Sequence, residues 1–314
     1  MQVIDWGKYW LRDPKLIERV LANPELEFDQ VHSISSGEIK VYPMKAAWKY
    51  WEIEIKSPTW LELRGSFHKH WNGGTNENDF GAVDLYKAIT DVCGFLQVRP
   101  HDLSVHNLEF GVNIRPSINA SEILREILCY MNRMPMIPID DDRGYFIEFK
   151  TSDYYLKLYD KGLQSHELWK LQAGNIMRLE VKATNSGFLE FAGIRTVADL
   201  LNPTNLSHLG RKLERVVKKV VFDDDTISPT TLSLPDQIVY QQLSNPKVWE
   251  RNRKKKTSTI RAQERRFKSI VSNSGRKRHS HTITKLVHDK WQQLVFIPGS
   301  ALSEIKEYLK KCKL

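Results

Sequence analysis

Tyr159 lies in the run Tyr155-Leu-Lys-Leu-Tyr-Asp-Lys-Gly162, upstream of a second charged run, Arg178-Leu-Glu-Val-Lys182. A phenol attacks a phosphodiester only after losing a proton it holds with a pKa of about 10 in water. The phosphate charge must also be countered, by an oxygen-ligated divalent cation and by nearby Lys or Arg. All these parts occur in the sequence. Tyr159 is the candidate nucleophile, with Tyr155 as competitor, and Lys157 and Lys161 are candidate phosphate or leaving-group contacts. Glu109, Glu180 and Glu62 are candidate ligands for Mg or Mn, and Arg64 and Lys69 are candidate DNA contacts. The plainer alternative is a solvated sheet face, with its charges paired across strands and Tyr159 packing its ring at a sheet edge.

Alternation supplies the elements that position these residues. Tyr50 to Lys56 and Trp60 to Ser66 alternate on either side of Ser57-Pro58-Thr59, which predicts two paired antiparallel strands. A Gly/Asn-rich loop over 72–79 leads to helical spacing over Val83 to Phe95. A strand over Ser104 to Ile114 and a helix over Ser121 to Met131 come next. A hairpin of Tyr145 to Lys150 with Tyr154 to Asp160 follows, and then a strand over Ile176 to Ala183. In the strands Leu108, Phe110, Val112, Leu156, Leu158, Leu179 and Val181 take the core. The same alternation sends Tyr155, Lys157, Tyr159, Lys161, Glu109, Arg178, Glu180 and Lys182 to the opposite face, with Glu62 and Arg64 behaving likewise. The expected fold is α+β: a central antiparallel sheet built from two β/α units with helices on one face, followed by a basic helical C-terminal region.

The octapeptide and the Arg-x-Glu strand together resemble two motifs of rolling-circle replication initiators of the trans-acting plasmid Rep family. Arg64-Gly-Ser-Phe-His-Lys69 running into Gly73-Gly-Thr-Asn76 is similar to a signature of the filamentous-phage gene II/X replication proteins. Leu108-Glu-Phe-Gly-Val-Asn-Ile114 stands where such proteins carry an acidic metal-binding strand. The resemblance spans about Trp51 to Ala183 and implies a Rep/relaxase-like fold. It implies an enzyme that nicks one strand of origin DNA and stays joined to the 5′ phosphate through tyrosine. Carried onto this chain, Tyr159 matches the nucleophile, Glu109 and Glu180 the acidic metal positions, and Lys161 the family lysine. Lys157 stands where plasmid initiators tend to have arginine, and so lacks the bidentate fork. His68-Lys69-His70 superficially suggests a His-hydrophobic-His metal pair, but its middle residue is charged, and a surface loop or DNA contact is the better reading. The resemblance implies double- and single-stranded origin DNA as partner, and leaves a host helicase and a second copy of the chain as candidates.

With 41% hydrophobic and 27% charged residues, the 314-residue chain reads as globular. It has no apolar run long enough to span a membrane and no signal-peptide pattern at Met1 to Trp10. Cys93, Cys129 and Cys312 are an odd number at wide spacing, so a reduced cytoplasmic protein without structural zinc is expected. The net charge of +9 is local: residues 246–290 hold 15 Lys+Arg against 3 Asp+Glu, leaving the remainder slightly acidic. Arg251, Arg253, Lys254, Lys255, Lys256, Arg261, Arg265, Arg266, Lys268, Arg276, Lys277 and Arg278 form the expected DNA footprint. Ser272 to Gly275 is a candidate turn between two helices of a helix-turn-helix. The expected organisation is 1–48 as an N-terminal strand/helix segment packing on the core, with a short helix over Asp13 to Leu21 and strand-like residues around Glu38 to Tyr42, then 49–222 as a nicking domain, 223–234 as a linker and 235–314 as a basic helical DNA-binding region. Two other functions fit the same residues: a non-enzymatic DNA-binding regulator, and a tyrosine strand transferase serving mobilisation or transposition.

Overall fold

A computed structural model describes residues 3–32, 39–76, 78–136, 146–170, 174–255, 257–301, 303 and 305. Tyr145, Lys256 and Cys312 lie outside the described residues. The chain begins with β1 (Ile4–Leu11) and α1 (Pro14–Leu21), a helix opened by Pro14 and by Asp13, whose carboxylate accepts from the Lys15 N–H at 2.9 Å. A meander follows: β2 (Asp29–His32), β3 (Ile39–Trp48), β4 (Trp51–Ser57) and β5 (Trp60–Gly65). Next come α2 (Phe67–Trp71), α3 (Ala82–Leu96), β6 (Leu103–Ile114), α4 (Ala120–Arg125) and β7 (Ile127–Tyr130). β8 (Phe146–Lys150), β9 (Tyr154–Asp160), α5 (Lys161–Trp169) and β10 (Met177–Ala183) complete the sheet. The rest is α6 (Ser186–Glu190), α7 (Pro203–Val217), β11 (Val220–Phe222), α8 (Leu234–Leu243), α9 (Pro246–Lys255), α10 (Ser258–Ser274) and α11 (His279–Val295).

Nine strands form one antiparallel sheet in the order β2-β3-β4-β5-β1-β6-β10-β9-β8. The fold is thus α+β, with a large antiparallel sheet and C-terminal helices. The N-terminal segment does more than pack on the core. β1 is inserted between β5 and β6, and joins the first meander to the strands that carry Tyr159 and Glu180. Its Gly7 admits the Tyr9 ring folded back over it, since a Cβ there would meet the Tyr9 hydroxyl at 2.0 Å.

The expected helix over Ser121 to Met131 is instead the short α4 followed by β7. Ile127, Leu128, Cys129 and Tyr130 are all buried, which a helix with one polar face does not permit, and they pair with β11. Apolar stripes of α3 (Leu85, Ile89, Val92), α7 (Leu206, Leu209, Leu213) and α11 (Ile283, Val287, Trp291) share one core with the sheet. α11 therefore packs with the sheet domain: Trp291 donates from Nε1 to the Leu206 carbonyl at 3.0 Å and packs edge-on to Phe110. A second, smaller core gathers Leu128, Val221, Tyr240, Leu243, Trp249 and Phe267 from β7, β11, α8, α9 and α10. The expected linker is a folded turn, in which Asp224 accepts from the Thr226 and Lys277 N–H groups and Asp223 from the Tyr240 hydroxyl at 2.8 Å.

Candidate active site

Three alternate rungs of β9, β10 and β6 carry the polar residues. They read Tyr155/Lys182/Glu109, Lys157/Glu180/Gly111 and Tyr159/Arg178/Asn113. Side chains on one face of a pleated sheet repeat every second residue, so the three rungs stack their polar groups on the same side. The middle of that face is largely closed to water, while Tyr155, Lys157 and Lys182 are half-buried. Arg178 is 0% exposed, Glu180 2%, and Tyr159 and Glu109 7% each. Glu109 shares its rung with Tyr155, while Tyr159 lies four residues further along β9, opposite Arg178. The Tyr159 hydroxyl nevertheless reaches Glu180 Oε2 at 3.5 Å.

Buried charges survive only when paired, and here each is. Arg178 holds Glu180 at 2.9 Å and Asp5 at 2.5 Å. Lys157 lies 3.3 Å from Glu180 and 3.5 Å from Glu109, and Lys182 lies 2.6 Å from Glu109. Burial alone raises the proton affinity of Glu180, but Lys157 and Arg178 outweigh it and hold the group well below the usual carboxylate range. Glu109 goes the other way: burial and the adjacent Glu180 push it up, with Lys157 and Lys182 offsetting only part. Burial also raises Tyr159 well above an ordinary phenol, with Arg178 opposing.

Asp5 is the site residue that the sequence reading missed. Between Ile4, opposite Phe110, and Gly7, opposite Leu108, β1 has two residues where β6 has only Glu109. Such a bulge turns a side chain toward a site that regular alternation would deny it. Oxygen atoms of Asp5, Glu109 and Glu180 lie within 4.8 Å of one another. Ser66 donates to Asp5 at 3.1 Å and Asn76 at 3.3 Å, so the loop after β5 braces this carboxylate. Three carboxylates, one with raised proton affinity, are a donor set that fits a hard cation such as Mg or Mn. These three would hold it.

The remaining candidates fall at different distances from this cluster. Glu62 is buried but belongs to a neighbouring group, accepting from Trp10 Nε1 at 2.9 Å and from Arg64 Nε at 2.6 Å, with Lys8 at 3.8 Å and Lys56 at 3.7 Å. Those partners occupy it away from Asp5, Glu109 and Glu180. Lys161 opens α5 and is buried, with Nζ donating to Asn76 Oδ1 at 2.9 Å and Gln164 Oε1 at 2.8 Å. Arg64 and Lys69 line a cleft of about 520 Å³ that also contains Asp5, Glu109 and Lys182. His68 stacks on Phe80 at 4.8 Å, and burial drives its pKa down to about 2, so it is a neutral core imidazole. His70 pairs with Asp91 at 2.7 Å. Among the described residues neither histidine joins a metal-ligating group.

In the C-terminal region Arg251, Lys254, Lys255, Arg261, Arg265, Arg266, Lys268, Arg276 and Arg278 are exposed. Arg253 pairs with Glu250 at 2.7 Å, and Arg266 with Asp236 at 2.6 Å. Lys277 differs. Its Nζ is held by Glu122 at 3.0 Å, Asp225 at 2.8 Å and Glu126, which makes it a clamp between α4 and the turn before α11. The turn expected at Ser272 to Gly275 falls later: Ser272 to Ser274 still belong to α10, Gly275 ends it, and residues 275–278 join it to α11.

No helix among the described residues is long and apolar enough to cross a membrane. The sequence matches no protein-family model and no curated protein. Among solved structures the chain is similar to a rolling-circle replication initiator protein from Geobacillus stearothermophilus. The identity is 12%, the TM-score is 0.40, and the match covers 69% of this chain and 84% of that one.

Proposed function

We propose that the chain initiates rolling-circle replication by cutting one DNA strand with Tyr159. The reading is carried by one observation: the Tyr159 hydroxyl lies 3.5 Å from Glu180, a member of a three-carboxylate cluster that also contains Asp5 and Glu109. Glu180, kept ionised by Lys157 and Arg178, accepts the phenolic hydrogen bond and orients the oxygen. A divalent cation bound by the three carboxylates would neutralise the scissile phosphate and favour the phenolate. The Tyr159 oxygen forms a bond to phosphorus, and the P–O3′ bond breaks. The 3′ oxygen leaves and takes up a proton, and the 5′ phosphate stays on the tyrosine. Lys157 and Lys182 stand beside the cluster to hold charge that develops on the phosphoryl oxygens. The exposed cations of α9 and α10 support duplex binding beside this chemistry.

The test uses a supercoiled plasmid carrying the DNA that flanks the gene, with Mg²⁺ or Mn²⁺. Wild-type protein should give nicked circles with protein on a 5′ end, and Tyr159→Phe should abolish both products. Nicking that survives the change would move the nucleophile, with Tyr155 next in line. The ion pairs that join Arg178 to Asp5 and Glu180 favour one second reading, a DNA-binding regulator whose sheet is scaffold. It predicts duplex binding with no cleavage of any such plasmid.

A further inference from the structure

Resting on the strand-cutting reading, we propose that the sheet face carrying Trp6, Trp10, Trp60 and His106 is a stacking platform for single-stranded DNA leading to the carboxylate cluster. In β1 every second residue from Trp6 faces the same way as the cluster, and Trp6, Lys8 and Trp10 are only half-buried. Lys182, on the rung of Glu109, lies with Nζ 4.7 Å from the Trp6 ring centroid, so the stripe begins at the cluster. Further along, Trp10 stacks on His106 at 3.9 Å with an interplanar angle of 17°, and meets Trp60 edge-on at 5.5 Å. His106 is there because β6 carries one residue more than β1 between the Lys8–Asn107 and Tyr9–Val105 pairs. Trp10 is fixed by its Nε1 bond to Glu62 at 2.9 Å.

Cations interleave these rings. The exposed Arg12 guanidinium lies 4.9 Å from the Trp10 centroid and 4.5 Å from that of Trp60, and Lys56 Nζ lies 5.2 Å from Trp60. Lys8 and Lys56 also flank Glu62 at 3.8 Å and 3.7 Å, which neutralises the carboxylate on this face. Planar rings alternating with Lys and Arg satisfy both needs of an unpaired strand, a π-face for each base and a charge for each phosphate. A duplex offers no free base faces, so this surface selects the single strand. The strand rise of about 3.3 Å per residue sets Trp6 and Trp10 about 13 Å apart, which is room for several bases.

The experiment is binding of a labelled 20-mer oligothymidylate to the full chain in EDTA, followed by fluorescence anisotropy, with plasmid nicking in Mg²⁺ measured separately. Arg12→Ala and Trp60→Ala should each weaken single-strand binding on the order of tenfold and leave duplex binding unchanged. Photocrosslinking of wild-type protein to an iodouracil-substituted oligonucleotide needs no variant, and should map to peptides holding Trp6, Trp10, Trp60 or His106. Unchanged affinity in both folded variants overturns the platform. So does equal weakening for duplex and single strand, or crosslinks confined to α9 and α10. If single-strand binding falls as expected while no plasmid is nicked, the platform stands and the strand-cutting reading falls. Intact nicking with unmoved binding gives the reverse.

Discussion

Arg178 is the residue on which the cluster turns, since one wholly buried guanidinium neutralises both Asp5 and Glu180. Breaking a buried pair strands the charge left behind. Arg178→Met should therefore lower stability at neutral pH by about 3–5 kcal/mol in urea unfolding. Glu109 should respond in the opposite sense. Its pKa is raised in the folded chain, so ionising it opposes folding: its contribution is favourable below the unfolded carboxylate pKa and is lost as pH rises through the folded value. In EDTA, Glu109→Gln should be more stable than wild type at alkaline pH by about 1 kcal/mol or more, and the gap should close below the usual carboxylate range. The same variant should lose Mn²⁺ binding in a calorimetric titration. Wild-type affinity for Mn²⁺ should weaken as pH falls through the raised Glu109 pKa, because proton and cation compete for one oxygen pair.

At the scale of elements, the site depends on how closely β6 and β10 approach. Gly111 faces Glu180, and a Cβ there would lie 2.1 Å from the Leu179 carbonyl oxygen, a backbone atom with nowhere to retreat. Gly111→Ala should cost about 1–3 kcal/mol in urea unfolding. The rungs of β9 and β10 were legible in the sequence because Leu156, Leu158, Leu179 and Val181 keep strict two-residue spacing, which fixes where Tyr159 and Glu180 point. β1 was not legible as a sheet strand. Ile4 and Asp5 are both buried and Gly7 interrupts the apolar row, so its bulge breaks the signal that would have announced it. β6 shows the other side of the same effect. Its core positions shift from Leu103 and Val105 to Leu108 and Phe110, and that change of parity marks the irregularity that brings His106 beside Trp10. β7 escaped for a different reason, because four consecutive buried residues carry no periodicity at all.

Over the whole molecule, the carboxylate cluster lies on the sheet and the exposed cations lie on α9 and α10, with α11 following α10 back onto the sheet core. Trp291→Ala should lower stability by about 3–5 kcal/mol in thermal or urea unfolding, since it removes a fully buried ring that packs on Gly210 and Phe110 together. Replacing Arg261 or Arg265 by Gln should make the slope of log affinity against log salt shallower by about one for each phosphate no longer neutralised, as read by duplex-binding titrations. The insertion of β1 has a kinetic consequence. β1 pairs with residues 61–65 and 103–110, so one of its two edges must wait until β6 has been synthesised. Non-local pairing of this kind slows folding. It also means that β1 cannot peel away without dividing the sheet into β2-β3-β4-β5 and β6-β10-β9-β8 and taking Asp5 from its partners. Amide hydrogens of β1 should accordingly exchange only through global unfolding, so that the carboxylate cluster persists for as long as the native state does.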